Sequence, residues 1–270
     1  MTPQLTGIDA VTFDFGGTLV HVDRAGLRHA AAEMARRVAP RLGPYPEGEF
    51  VELWSTERDR QFREEVPRLR EVDLDQRFAR VLARLRGMAA PADGESWDDA
   101  AAALRSDPEE RRWAVETYSG AFIAAVPVDP TVEPLLASLA RERKLAIVSN
   151  WPLASTVDRY VDAAGWAPHL SAVVVSQRVG TIKPHRAVFA AAEKALGGVA
   201  PEAILHVGDD WAADVVGAKL AGWRAAYLPD ATVDSPFPGS DRDDSVVPDL
   251  ELARLDALAT ALRVDLDDPG

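Results

Sequence analysis

Apolar residues fall along this chain in two rhythms. Ile8 to Phe15 is a short run of β-formers that stops at Gly16-Gly17, the pattern of a buried strand followed by a tight turn. From about Arg24 to Tyr118 alanine, arginine, glutamate and leucine dominate and apolar residues recur at helical spacing, as in Leu27 to Met34 and Phe78 to Leu85. Strand-like runs are absent there. Breaks near Pro40 to Pro46, near Pro91 to Gly94 and near Pro108 divide this helical stretch. The last break reads as a helix start, with Asp107 as cap, Pro108 in the first position and Glu109-Glu110 behind it.

After Pro127 the pattern alternates. Helices are predicted over Thr131–Arg141, Leu153–Ala163, His185–Leu196 and Ala212–Ala221. Each leads into a strand: Leu145–Ser149, Ala172–Ser176, Ile204–Val207 and Arg224–Leu228. Strands alternating with helices of this length predict βαβ units and a mainly parallel sheet. Their continuously apolar runs fit strands covered on both faces. Pro229 to Asp244 reads as an exposed loop, Leu250 to Leu262 as a closing helix, and the last residues as a loose end. The expected fold class is α/β: a doubly wound, Rossmann-like sheet built from residues 1–20 and 126–270, with an all-α domain, residues 21–125, inserted after the first strand.

Composition narrows the function. The chain has 270 residues, 47% of them hydrophobic, enough to bury a large core. A formal net charge of −13 opposes nucleic acid and anionic membrane surfaces, so neither is an expected partner. With no cysteine, disulfides, zinc–thiolate sites and thiol catalysis are excluded. The first residues lack a basic stretch followed by a long apolar one, and no run is long enough to span a bilayer. A cytoplasmic location is the default expectation.

Four polar clusters stand at equivalent places. Asp14 ends the first strand, Ser149-Asn150 end the second, Lys183 follows the third, and Asp209-Asp210 follow the fourth. In an open parallel sheet the C-terminal strand ends meet at one edge, where ligands bind. An aspartate carboxylate there can attack phosphorus and form an acyl phosphate. Mg2+ favours oxygen ligands, so Asp14, Asp209 and a backbone carbonyl suit it. The ion would neutralise charge between nucleophile and phosphate. Lys183 supplies a compact positive charge, and Ser149 a hydrogen bond to the phosphoryl oxygens.

Asp14-Phe15-Gly16-Gly17-Thr18-Leu19, Val148-Ser149-Asn150, Gly180-Thr181-Ile182-Lys183-Pro184 and Gly208-Asp209-Asp210-Trp211-Ala212-Ala213-Asp214 together resemble the four motifs of the haloacid dehalogenase superfamily, phosphatase branch. The large helical insertion is similar to the cap of its subfamily I. The resemblance implies a Mg2+-dependent hydrolase that removes phosphate from a small phosphorylated metabolite through an aspartyl phosphate. It implies Asp14 as nucleophile and metal ligand, Ser149 on the phosphoryl group, and Lys183 steadying the charges. Gly17, Thr18 and Asn150 join Ser149 and Lys183 around the substrate. Asp209, Asp210 and the Gly16 carbonyl complete the metal ligands, and Asp214 orders their surroundings or orients Lys183. Either Asp210 or Asp214 also suits the cap of the helix starting near Ala212. Trp151 either lines the site mouth or packs in the core. The arginines at 58, 60, 63, 68 and 70 lie beside Glu57, Asp59, Glu64 and Glu65 and read as a solvated, salt-bridged face.

One position departs from the family pattern. The resemblance implies a second aspartate, two residues after the nucleophile, that protonates the leaving group; Gly16 stands there. General acid–base catalysis is worth roughly 10²–10⁴-fold. His21 and Asp23 follow the first loop and are available substitutes, though an exposed linker is the plainer reading of both. The alternatives are a Mg2+- and phosphate-binding protein of weakened turnover, a dehalogenase attacking carbon, and a phospho-receiver domain. Order and chain length count against the last.

Overall fold

The structure is a computed structural model and describes residues 4–92, 94–230, 232, 234–236 and 239–266. Among these, six strands form one all-parallel sheet: β1 (Ala10–Phe13), β2 (Lys144–Ser149), β3 (Ala172–Val175), β4 (Ile204–Gly208), β5 (Arg224–Tyr227) and β6 (Leu250–Glu251). Their order is 3-2-1-4-5-6. The chain winds outward from β1 in one direction, then from β4 in the other, so the connections reverse between β1 and β4. All of β1 and most of β2 and β4 are buried, which is why their sequences read as unbroken apolar runs.

The chain divides into two compact units. Met1–Asp23, Leu69–Glu71 and Val128–Gly270 form the α/β unit, and Arg24–Arg68 with Val72–Pro127 the helical one. In the helical unit α1 (Arg24–Leu42) packs against α2 (Glu47–Glu65) and α5 (Pro108–Ala125), and α2 against α3 (Leu74–Leu85), with the short α4 (Asp99–Ala103) beside α3. Its core is aromatic, with Trp54 and Phe78 ring centroids 4.7 Å apart and Tyr118 4.9 Å from Trp54. The break expected near Pro40 to Pro46 falls at residues 43–46: α1 runs through Pro40 to Leu42, since a proline in the last turn sacrifices a single backbone bond, and α2 starts at Glu47. Glu57 stands apart from the solvated, salt-bridged face expected of this stretch, where Arg63, Arg68 and Arg70 are exposed and Arg58 pairs with Asp59 at 2.8 Å. Glu57 is fully buried and accepts hydrogen bonds from Arg84 and from the Trp97 indole, both 3.0 Å.

Six residues expected in the helical insertion belong to the α/β unit instead, residues 21–23 and Leu69–Glu71. The Leu69 carbonyl accepts from Thr181 Oγ1 at 2.5 Å and from Ile182 N at 3.2 Å, and the Glu71 carboxylate accepts from Ser176 Oγ. In the α/β unit α6 (Val132–Leu139), α7 (Ala154–Ala163) and α9 (Arg186–Leu196) match the expected helices closely, and α8 (Ser176–Val179) is a short turn at the end of β3. The expected closing helix splits. Leu250–Glu251 pair with β5 as β6, and the helix, α11, occupies Ala257–Leu262. A two-residue strand is too short for periodicity to reveal. The loose end falls at residues 267–270, which lie outside the described residues.

The helix start read at Pro108 is present: Asp107 Oδ1 accepts from Glu109 N at 2.7 Å and Glu110 N at 3.3 Å. Replacing Asp107 with Ala is expected to cost about 1 kcal/mol. Urea unfolding should show it as a lower midpoint with an unchanged slope.

Candidate active site

Asp14 follows β1 directly, and its N–H continues the ladder by donating to Val207 O at 2.9 Å. It therefore sits at the C-terminal edge beside the reversal point, flanked by the ends of β2 and β4. Lys183 arrives from the loop after β3. Its ammonium is buried and commits three donors: to Asp14 Oδ1 at 2.7 Å, Asp214 Oδ1 at 2.6 Å and Val148 O at 2.7 Å. Burial alone would push this ammonium down, but the two carboxylates outweigh it and hold the pKa above its ordinary value.

The lysine is positioned from its own backbone. Asn150 Oδ1 accepts from Lys183 N at 2.7 Å, and its Nδ2 donates to Lys183 O at 3.2 Å. Both ends of this amide are engaged, so Asn150, expected against the substrate, places the lysine instead. Ser149 is buried, and its Oγ has no hydrogen-bond partner among the described residues.

Asp209 faces Asp14 across the reversal point. Asp14, Asp209 and Asp214 each offer a carboxylate oxygen within 4.8 Å of the others. Thr18 Oγ1 donates to Asp209 Oδ1 at 2.9 Å. Gly17 has φ +88°, and a Cβ there would lie 2.4 Å from Asp209 Oδ2, so the first loop needs glycine at this point.

Asp210 is not in the cluster. Its Oδ1 accepts from Ala213 N at 2.7 Å as a helix cap, and its carboxylate also accepts from Ser240 N and Oγ, both at 2.9 Å. This corrects the expectation of a metal ligand. The helix expected over Ala212–Ala221 opens instead with a wide π turn, Trp211–Val216, before α10 (Gly217–Leu220). This geometry recurs at functional sites. It brings Asp214 back to accept from Asp210 N at 2.9 Å and from Lys183. Gly208 leaves room for it, since a Cβ there would meet the Asp214 carboxyl carbon at 2.2 Å. Trp151 is buried against Phe15, with ring centroids 5.2 Å apart.

Two site residues escaped the sequence reading. His206 Nε2 lies 3.0 Å from Asp214 Oδ1, and its Nδ1 lies 2.8 Å from Thr12 Oγ1. An ionised Asp214 can only accept, so Nε2–H donates and Nδ1 accepts from the threonine hydroxyl. Burial pushes the imidazole pKa down and keeps the ring neutral. The signal was one polar residue in each of two apolar strands, and Thr12 and His206 stand in register.

The carboxylates differ in charge. Burial pushes Asp14 up to about 6, with Lys183 opposing and Asp214 adding. Burial and the charges of Asp14 and Asp214 push Asp209 up to about 9. Burial also acts on Asp214, but Lys183 and His206 hold it well below the usual carboxylate range. Three carboxylates thus share a cavity with one ammonium. That surplus of negative charge, on hard oxygen donors, fits a divalent cation at Asp14 and Asp209.

Residues 8–222 match the haloacid dehalogenase-like hydrolase family. The chain belongs to it. Over 103 residues it is 40% identical to a phosphoserine phosphatase of Thermus thermophilus, a match covering 38% of this chain and 41% of that protein's length. The family's 2-haloacid dehalogenase from Pseudomonas syringae pv. Tomato DC3000 is 25% identical, with a TM-score of 0.61 over 94% of this chain and 97% of that one. The Bacillus subtilis HAD-hydrolase YfnB, solved bound to magnesium, shares the fold at 19% identity and a TM-score of 0.58, over 95% and 99% of the chains.

Gly17→Ala should lower the affinity for Mg2+ at least tenfold, because its methyl displaces Asp209; calorimetric titration checks this. Without a cation, the folded state holds protons on Asp209 and Asp14 that the unfolded state, with carboxyls at the ordinary 3.8, releases. More protons bound when folded means stability falls as pH rises, here from about 4 to about 9. Thermal melts in EDTA across that range should show the decline, and Asp209→Asn should flatten it.

Proposed function

We propose that this hydrolase removes phosphate from a small phosphorylated metabolite, with Mg2+ as cofactor and Asp14 as nucleophile. The observation that carries the reading is the meeting of the Asp14, Asp209 and Lys183 side chains at one point of the sheet edge. The residues divide the work. Lys183 holds Asp14 in place by its 2.7 Å hydrogen bond and offsets negative charge as the phosphoryl group approaches. Asp214, held in turn by His206, keeps that ammonium charged and aimed. The unpartnered Ser149 hydroxyl gains its missing hydrogen bond from a phosphoryl oxygen. Asp14 and Asp209 would hold the cation, which supplies charge neutralisation between nucleophile and phosphate.

In this reading the helical unit is the cap that selects the substrate, and a cytoplasmic setting fits the soluble metabolites involved. No helix among the described residues is long and apolar enough to cross a membrane. The phosphoserine phosphatase relative and the magnesium bound to YfnB support the reading without fixing the substrate. The 25% identity to a dehalogenase favours a second reading, attack of Asp14 on carbon. The carboxylate cluster argues against it: a carbon electrophile bearing one carboxylate has no need of a cation between three aspartates.

A panel of sugar phosphates, nucleotides, phosphoglycolate, phosphoserine and acyl phosphates, with 2-chloropropionate beside them, tests both. Phosphate release that EDTA abolishes, and that Asp14→Asn lowers by at least 10³-fold, is the expected result. Halide release persisting in EDTA would replace the reading with the dehalogenase one.

A further inference from the structure

A phosphate ester needs a proton for its leaving oxygen, and the cluster around Asp14 has none to give. All three Lys183 donors are committed, Asp14 and Asp214 serve as anions, and Asp209 is assigned to the cation. Gly16 carries no side chain. A donor must come from beside this group.

We propose that His21, oriented by Asp230, is the catalytic acid that protonates the leaving group; this rests on the phosphatase reading above. Position comes first. The loop after Asp14 closes on itself, with Gly17 N donating to Val20 O at 2.8 Å and Gly16 bridged to Val20. Bridged residues lie about 5 Å apart, and the next Cα is about 3.8 Å further on. His21 therefore starts at the rim of the loop that carries Asp14. Asp230 comes from the opposite side, three residues beyond β5 at the same sheet edge. It is close enough to Asp209 for its charge to raise that carboxyl.

The pair has the asymmetry a proton donor needs. His21 Nδ1 lies 3.8 Å from Asp230 Oδ1, an ion-pair distance. The imidazole is 50% exposed and the carboxylate 14%, so the ring is backed by its partner and open to a ligand. Asp230 is fixed by Thr232 N, which donates to its Oδ1 at 2.8 Å. Burial would raise this carboxyl, but His21 and Thr232 hold it below the usual range, so it is an anion. The carboxylates acting on His21 are Asp230 and, more weakly, Asp129; against partial burial they raise its pKa above that of a free imidazole. Such a ring carries a transferable proton near neutral pH. The plain linker expected of this residue does not account for a half-buried carboxylate set behind it.

The step balances. The Asp14 carboxylate forms a bond to phosphorus as the ester P–O bond breaks, and the His21 Nε2 proton passes to the departing oxygen. Water then attacks the phosphoryl group and its proton returns to Nε2. Phosphate leaves with Asp14 restored as the carboxylate.

The test is a leaving-group comparison on two esters of nearly the same shape. Phenyl phosphate releases a phenolate about as basic as tyrosine, roughly pKa 10; p-nitrophenyl phosphate releases a far weaker base that needs little protonation. In the Mg2+-loaded full chain, His21→Gln is expected to lower kcat/KM for phenyl phosphate at least ten times more than for p-nitrophenyl phosphate. Asp230→Asn, which removes the anion raising His21, should move the alkaline limb of the kcat/KM profile to lower pH. Equal losses on both esters, no loss on phenyl phosphate, or an unmoved limb in Asp230→Asn would each overturn the assignment. Wild-type protein inert toward both esters would instead sink the phosphatase reading, and His21's role with it.

Discussion

A lysine ammonium with almost no solvent contact is costly to bury unless its charge is met on every side. Lys183 meets that demand with two carboxylates and a carbonyl drawn from the ends of β1 and β2 and from the π turn after β4. Asp14 lies 169 positions away in sequence and Asp214 31. No local segment satisfies the ammonium; the finished sheet edge does. Removing either carboxylate would leave one buried ammonium donor without its acceptor, so the same contact that organises the site also ties its elements together.

The surrounding chain makes room for that contact. Gly17 and Gly208 stand where any side chain would strike Asp209 or Asp214. Thr12 and His206, side by side on neighbouring strands, support Asp214 from within the sheet. Asp210 turns away to cap the helix, and the π turn carries Asp214 inward in its place. Each device serves to crowd acidic groups more closely than they would tolerate alone. Burial first, and the neighbouring acidic charges after it, raise the Asp14 and Asp209 pKa values, and such perturbed carboxyls in one cluster mark a candidate functional site.

The fold is shared with a 2-haloacid dehalogenase and with the magnesium-bound YfnB, so it does not by itself choose between attack on carbon and attack on phosphorus. The choice lies in the side chains at the reversal point. The helical unit, by contrast, closes its own polar core. Arg84 and Trp97 donate to Glu57, and Arg77 to Gln61, contacts that lie within the helical unit.

The alternation of apolar strands with helices, the inserted helical stretch and the meeting of residues 14, 183 and 209 were legible in the sequence. Each rests on a local rule: strand and helix periods, and the common edge of parallel strands. Beyond that reach lay which aspartate enters the cluster, what Asn150 binds, the partnership of Thr12 with His206, and the approach of Asp230 to His21. Asp210 and Asp214 are alike as sequence, and three residues of the π turn separate them. Only the turn they occupy decides which one faces Lys183, because hydrogen-bond direction is a property of folded backbone and not of residue type.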